Sequence, residues 1–242
     1  MENKKEKLED FKTAISSTVR SISNSEKIEV SFGNQTPKSE KNSIKLPELS
    51  QINNKLNFDQ IRAMADSKSL NFRFSDDKTF KEYEPVGNIS KRLYKISEKI
   101  RCEKIGTSYF KGVKNNIEKF YQERLSGLDL KSSEDKIIES FENYLRTKFL
   151  DFKNDSQIDK KLKSYKKDLN EKFKDKISQL NEATLDQKKF NSLISELISN
   201  MNLDENLDEE EKKEEDKNND DKQNKPDNQD KQAKEKEDKQ EE

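Results

Sequence analysis

The sequence predicts a mainly α fold with a minor β part. It reads as a helical bundle carrying a small N-terminal β-hairpin and a disordered acidic C-terminal tail. Three observations carry that reading. Apolar residues recur every three or four positions through most of residues 8–198, as on one face of a helix. Short stretches at 28–32 and 44–46 alternate apolar with polar residues, as a half-buried strand does. Beyond Leu207 the chain is almost wholly Asp, Glu, Lys, Asn and Gln, with Pro226, which is too polar to order itself by burial.

Taken in order, Leu8, Phe11, Ile15, Val19 and Ile22 form the stripe of a first amphipathic helix. Ile28, Val30 and Phe32 alternate with Glu29 and Ser31, and Gly33-Asn34 follows as a turn signal. Ile44 and Leu46 flank Lys45 before Pro47 stops the run, so the two strands read as a hairpin with a long loop containing Pro37. A second helix begins at Phe58 and runs through Ile61, Met64 and Ala65 to Leu70. Phe72 and Phe74 then alternate with polar neighbours and read as a short strand over 70–75. Pro85-Val86-Gly87 is a break, and Asn88 is placed to cap the next helix, whose stripe is Ile89, Leu93, Ile96 and Ile100.

A further helix is expected from about Thr107 to Leu125, and another is opened by Ser133, Glu134 and Asp135 and carries Ile137, Ile138, Phe141, Leu145 and Phe149. Ile158, Leu162, Tyr165, Leu169, Phe173, Ile177 and Leu180 predict one long helix with a narrow stripe. Phe190, Leu193, Ile194, Leu197 and Ile198 make a shorter partner, with Thr184 as its cap.

Composition narrows the chemistry. Of 242 residues, 28% are hydrophobic and 41% charged, so the core is modest for the length. No run of about 18 apolar residues exists to span a membrane, and Met1–Lys7 lacks the apolar stretch of a signal peptide. With no histidine and the single Cys102, this chain alone builds neither a tetrahedral zinc site nor a histidine-based triad. One cysteine also makes no internal disulfide, which fits a reducing cytoplasm. The net charge of −1 hides an asymmetry: Asp204–Glu242 holds 18 acidic and 9 basic residues, leaving 32 acidic and 40 basic in 1–203.

The most specific segment is 98–117. Gly106 and Gly112 interrupt a strongly helical stretch, and each glycine costs a helix roughly 1 kcal/mol relative to alanine. They mark a turn, or a backbone contact that a larger residue would block. Arg101 and Glu103 lie just upstream; the plain reading is an ion pair holding neighbouring helices. Cys102 reads as a buried thiol, since no histidine is present to activate it. The two glycines do not form a phosphate loop, because the Gly-Lys-Ser/Thr ending is missing. Lysines alternate with acids along every helix and arginines are few, which favours solvated faces over a nucleic-acid surface.

Five blocks resemble one family. Phe11-Lys12 with Val19-Arg20-Ser21-Ile22, Glu29-Val30-Ser31-Phe32, Lys45-Leu46-Pro47-Glu48 and Arg62–Ser67 with Leu70 are similar, in that order, to the start of the T subunit of aerobic cobaltochelatase, CobT. So are Glu98, Arg101, Glu103, Gly106, Gly112, Val113 and Asn116, at the spacing of that family's central helical segment. The resemblance covers about residues 11–150.

It implies an accessory, non-catalytic subunit that joins an AAA+ ATPase subunit and a large chelatase subunit. That complex inserts cobalt(II) into hydrogenobyrinic acid a,c-diamide at the expense of ATP, with magnesium as the cofactor of ATP hydrolysis. It also implies a CobT-like N-terminal helical domain over 1–152 and an acidic linker over 204–242, and the narrow stripe between them reads as a long helical arm or hairpin over 153–203. The family's C-terminal von Willebrand A domain carries an Asp-x-Ser-x-Ser motif; Asp66-Ser67-Lys68-Ser69 has the wrong order, so that domain is expected to be missing. The chain itself is expected to bind no cofactor or metal and to supply no catalytic residue. Arg101, Glu103, Gly106, Gly112 and Asn116 are the candidate structural or interaction positions. A non-enzymatic helical scaffold or nucleic-acid-binding protein is the alternative.

Overall fold

Helix α1 (Glu2–Ser23) places Ile15, Val19 and Ile22 on one buried face. The computed structural model describes residues 2–34, 37, 42–48, 58–130, 132–153 and 156–203, and these belong to one unit ending at Asp204. The acidic tail expected from Asp204 onward lies outside the described residues. Strand β1 (Glu29–Phe32) pairs with β2 (Ser43–Leu46), Glu29 opposite Ser43 and Phe32 opposite Leu46. The strands are where their alternation predicts them, but the pairing is parallel, so they are not a hairpin. The connection makes this possible: ten residues reach about 33 Å when extended, enough to carry the chain back along a four-residue strand.

Ile15 and Val19 of α1, Ile28, Phe32, Ile44 and Leu46 from the strand region, and Ile61 and Ala65 of α2 (Phe58–Phe74) make one apolar cluster. Phe11 meets Phe58 across it, with ring centroids 4.5 Å apart. The strand expected over 70–75 is the last turn of α2 instead. Phe72 packs on the same cluster as Ala65, seven residues earlier, a separation that shares a face in a helix and opposite faces in a strand.

Helix α3 (Asp77–Glu82) is capped by Asp76, whose carboxylate accepts from Thr79 N at 2.8 Å. Helix α4 (Asn88–Tyr109) passes straight through Gly106 and stops only at Phe110. Its N-cap is Gly87, at φ 97°, and Asn88 is the first helical residue rather than the cap. Helix α5 (Val113–Ser126) starts after Gly112, and α6 (Ser133–Leu150) is capped by Ser132, whose hydroxyl accepts from Asp135 N.

The single long helix expected over 158–180 is three: α7 (Ser156–Lys161), α8 (Lys163–Phe173) and α9 (Ile177–Glu182). The stripe itself holds, since Ile158, Leu162, Leu169, Phe173 and Leu180 are all buried. The breaks let each piece meet a different neighbour, α7 on α5, α8 on α6 and α9 on α10. Phe173 accordingly packs edge-on against Phe141 and Tyr144. Helix α10 (Gln187–Ser199) lies on α4 and α3 and is capped by Asp186, not Thr184. Around α4 therefore pack α2, α6, α10 and α5, and the buried charged side chains among the described residues lie on α2, α4 and α6.

Candidate functional site

Side chains that ordinarily face water are buried along α4. Arg101 is 1% exposed and Glu103 is fully buried. They are not partners of each other, because successive residues of a helix point some 100° apart and these two look toward different neighbours.

Arg101 works as a clamp. Its Nε and Nη2 donate to the two oxygens of Glu98, one turn back, at 2.9 and 2.7 Å. The remaining donors reach main-chain carbonyls: Nη1 to Thr184 O at 3.0 Å and Nη2 to Phe74 O at 2.5 Å. One guanidinium thus fastens the end of α2 and the loop before α10 to α4. The five-donor fork of arginine allows this, and lysine would not. Cys102 sits in the same pocket, its thiol 3.8 Å from Glu98 Oε1. Burial, then the Glu98 carboxylate, pushes that thiol well above its ordinary value, so it is no nucleophile.

Glu103 begins a second, larger network. It accepts from Ser67 Oγ of α2 at 2.5 Å and from Arg146 Nη1 of α6 at 2.6 Å. Arg146, itself 2% exposed, also donates to Glu142 at 2.8 Å. Glu142 in turn accepts from Arg124 of α5 at 2.8 Å, and Arg124 holds Glu139 bidentately at 2.6 and 2.9 Å. The Tyr121 ring lies between the two arginines, 5.1 Å from Arg124 and 4.8 Å from Arg146. Burial alone would raise the Glu142 carboxyl, but Arg146, Lys99 and Arg124 outweigh it and hold it at about 2. For Arg146 too, burial is outweighed by Glu103 and Glu142, and its affinity for the proton rises.

A third pair sits beside these. Asn116 Nδ2 of α5 donates to the buried Asp66 of α2 at 2.8 Å. Burial still raises that carboxyl, since a neutral amide offsets desolvation less than a cation does.

The two glycines take one role each. At Gly106 a Cβ would lie 2.1 Å from Leu70 Cδ2, so the missing side chain lets α2 and α4 meet. Gly112 has φ 93°, the left-handed backbone that turns the chain from α4 into α5. Arg101, Glu103, Gly106 and Asn116 thus each join α4 or α5 to a neighbour, while Gly112 sets the turn between them.

Arg146, Glu142, Arg124 and Glu139 were not singled out from the sequence, and Asp66 and Ser67 were read only as part of a resembling block, with no partner assigned. A signal was present: Glu142 falls in the α6 series Ile138, Glu142, Leu145, Phe149, a charge on a stripe that is otherwise apolar.

Chemically, these charges are spent on one another. A carboxylate held near 2 by arginines does not exchange protons at neutral pH. Among the described residues no three His, Cys, Asp or Glu side chains gather to hold a metal ion. No described helix is long and apolar enough to cross a membrane. The family model for cobalamin biosynthesis protein CobT matches residues 5–242. The chain belongs to the CobT family. No solved structure matches it. Membership carries a role in cobalamin biosynthesis, at the cobaltochelatase, and α4, with its two flanking networks, is the centre of this CobT-family chain.

Proposed function

We propose that this chain is an accessory, non-catalytic subunit of an ATP-dependent cobaltochelatase in the cytoplasm. It assists insertion of cobalt(II) into hydrogenobyrinic acid a,c-diamide, joining an AAA+ ATPase subunit and a large chelatase subunit. The CobT match over residues 5–242 carries this reading. Cobalt is the cargo of the complex, and ATP and magnesium are handled by the ATPase partner.

The geometry supports a positioning role. The buried arginines and carboxylates of α4, α5 and α6 are saturated by each other, so they fix helices and leave no free acid or base. ATP hydrolysis needs a phosphate cradle and an acidic magnesium ligand, and the sequence holds no Gly-x-x-x-x-Gly-Lys-Ser/Thr. Tight cobalt(II) binding favours imidazole or thiolate, and the only thiol is buried and protonated.

Pull-down with the AAA+ subunit, followed by ATP turnover and cobalt affinity of this chain alone and of the pair, tests the reading. Expected are a stable complex, turnover only when the partner is present, and no submicromolar cobalt binding by the chain alone. Robust turnover by the isolated chain, or no association with the partner, would overturn it.

A further inference from the structure

The chain from α7 to α9 is pinned at both ends. At its start Lys153 is held to α5 through its main chain: its N–H donates to Glu118 Oε1 at 2.9 Å, and its carbonyl accepts from Gln122 Nε2 at 2.7 Å. At its end Thr184 O accepts from the buried Arg101 at 3.0 Å. Just beyond, Gln187 grips the main chain of Asp76, its Oε1 accepting from the N–H at 2.8 Å and its Nε2 donating to the carbonyl at 3.1 Å.

Between these points lie three short helices of six, eleven and six residues. Helices of that length do not hold themselves in water. Leu162 and Lys176 stand at the N-cap positions of α8 and α9, and neither gives a side-chain cap. Lys166 pairs with Asp159 and Lys167 with Glu171, so these ionic contacts stay within the segment. Its grip on α6 comes through apolar groups, with Phe173 placing its ring centroid 5.7 Å from Phe141 and 5.9 Å from Tyr144.

The face of α6 beneath is polar at a cost. Ser140, Tyr144 and Thr147 fall within about 60° of one another around the helix, on the side where Phe173 covers Tyr144. Their hydroxyls are buried, and none finds a hydrogen-bond partner among the described residues. Such a hydroxyl keeps the full desolvation penalty that a partner would offset. Glu139, Glu142 and Arg146 occupy the far side of the same helix, so exposing the hydroxyls would leave the ionic network closed.

We propose that α7–α9 is a strap that lifts from α6 as one unit, between fixed ends at Lys153 and Thr184, and uncovers Phe141 and Tyr144 while the rest of the bundle stays folded. Lifting loses the Phe173 contacts and regains water for three hydroxyls, so this opening lies below global unfolding in free energy. The device rests on packing and hydrogen bonding and stands independently of the chelatase reading.

Native-state hydrogen exchange of the full-length chain, read by mass spectrometry, tests it. Amides of α8 are expected to exchange at least about tenfold faster than those of α4 and α6. Tyr144→Phe keeps the ring and removes the hydroxyl, and is expected to slow exchange in α8 about fivefold, because the penalty it removes is one that opening relieves. Ser140→Ala should act in the same direction. Ser23→Ala, which removes an unpartnered buried hydroxyl on α1, is the control and should leave α8 within about twofold. Exchange in α8 no faster than in α4 would overturn the proposal. So would α8 exchange left unchanged or hastened by both α6 variants, or slowed equally by Ser23→Ala.

Discussion

The two faces of α2 belong to different kinds of interior. Toward α1 and the strands it packs Ile61 and Ala65 into an apolar cluster, the ordinary hydrophobic solution. Toward α4 its Asp66 and Ser67 enter a polar interior where Glu103, Arg146, Glu142, Arg124 and Glu139 bind one another. An apolar cluster tolerates repacking, because any hydrophobe of similar size serves. A buried charge network does not: each member satisfies a specific partner, and removing one strands the rest. The same chain thus uses a forgiving core where it needs only cohesion and an exacting one where four helices must meet in one register.

The largest effect separating the two regions is expected at Arg146. Arg146→Met removes the cation that the buried Glu103 and Glu142 share, leaving Glu142 only Arg124, and should cost about 3–5 kcal/mol in denaturant unfolding. Leu46→Ala, in the apolar cluster, should cost about 3 kcal/mol, and unlike the arginine variant much of it should return with methionine at that position.

Acid sharpens the contrast. Glu142 is held at about 2, below its ordinary 4.5, so its contribution is fully present above pH 4.5 and is lost as pH falls toward 2. The loss should be on the order of 3 kcal/mol. Unfolding followed across that window should show the stability falling, and Glu142→Gln should flatten the fall. Smaller still, Gly106→Ala should destabilise by about 1–3 kcal/mol although alanine is the better helix former, because its methyl meets Leu70. Leu70→Ala in the same chain should make the alanine at 106 nearly harmless, which a double-mutant comparison checks.

How much of this was legible in the sequence follows the same divide. Apolar period alone located α1, both strands, α6 and α10, because burial of an amphipathic face leaves its spacing in the chain, but it began α5 at Thr107, which still belongs to α4, rather than at Val113. It misread Phe72 and Phe74, since two aromatics at alternate positions fit a strand as well as the last turn of a helix. It did not show that the strands run parallel, which depends on the path of the connection rather than on either strand. It joined α7, α8 and α9 into one helix, because the breaks follow three neighbours in space. At the polar centre, Gly106 was readable as a close contact, but Leu70 as the side chain it admits was not. Arg101 and Glu103 stood out by their place near the glycines, and Glu98 lies only three residues before Arg101, yet Thr184 is 83 residues from Arg101 and Arg146 is 43 from Glu103. A pair so distant leaves no local spacing to read.

The central physical claim is that paired charge, not chemistry, fixes the meeting of α2, α4 and α6. A double-mutant cycle between Glu103→Gln and Arg146→Met, measured by guanidinium unfolding of the full-length chain, tests it most directly. A coupling energy of about 2 kcal/mol or more is expected, with the double variant far more stable than the two single losses add up to. Additive losses, with coupling below about 0.5 kcal/mol, would contradict it.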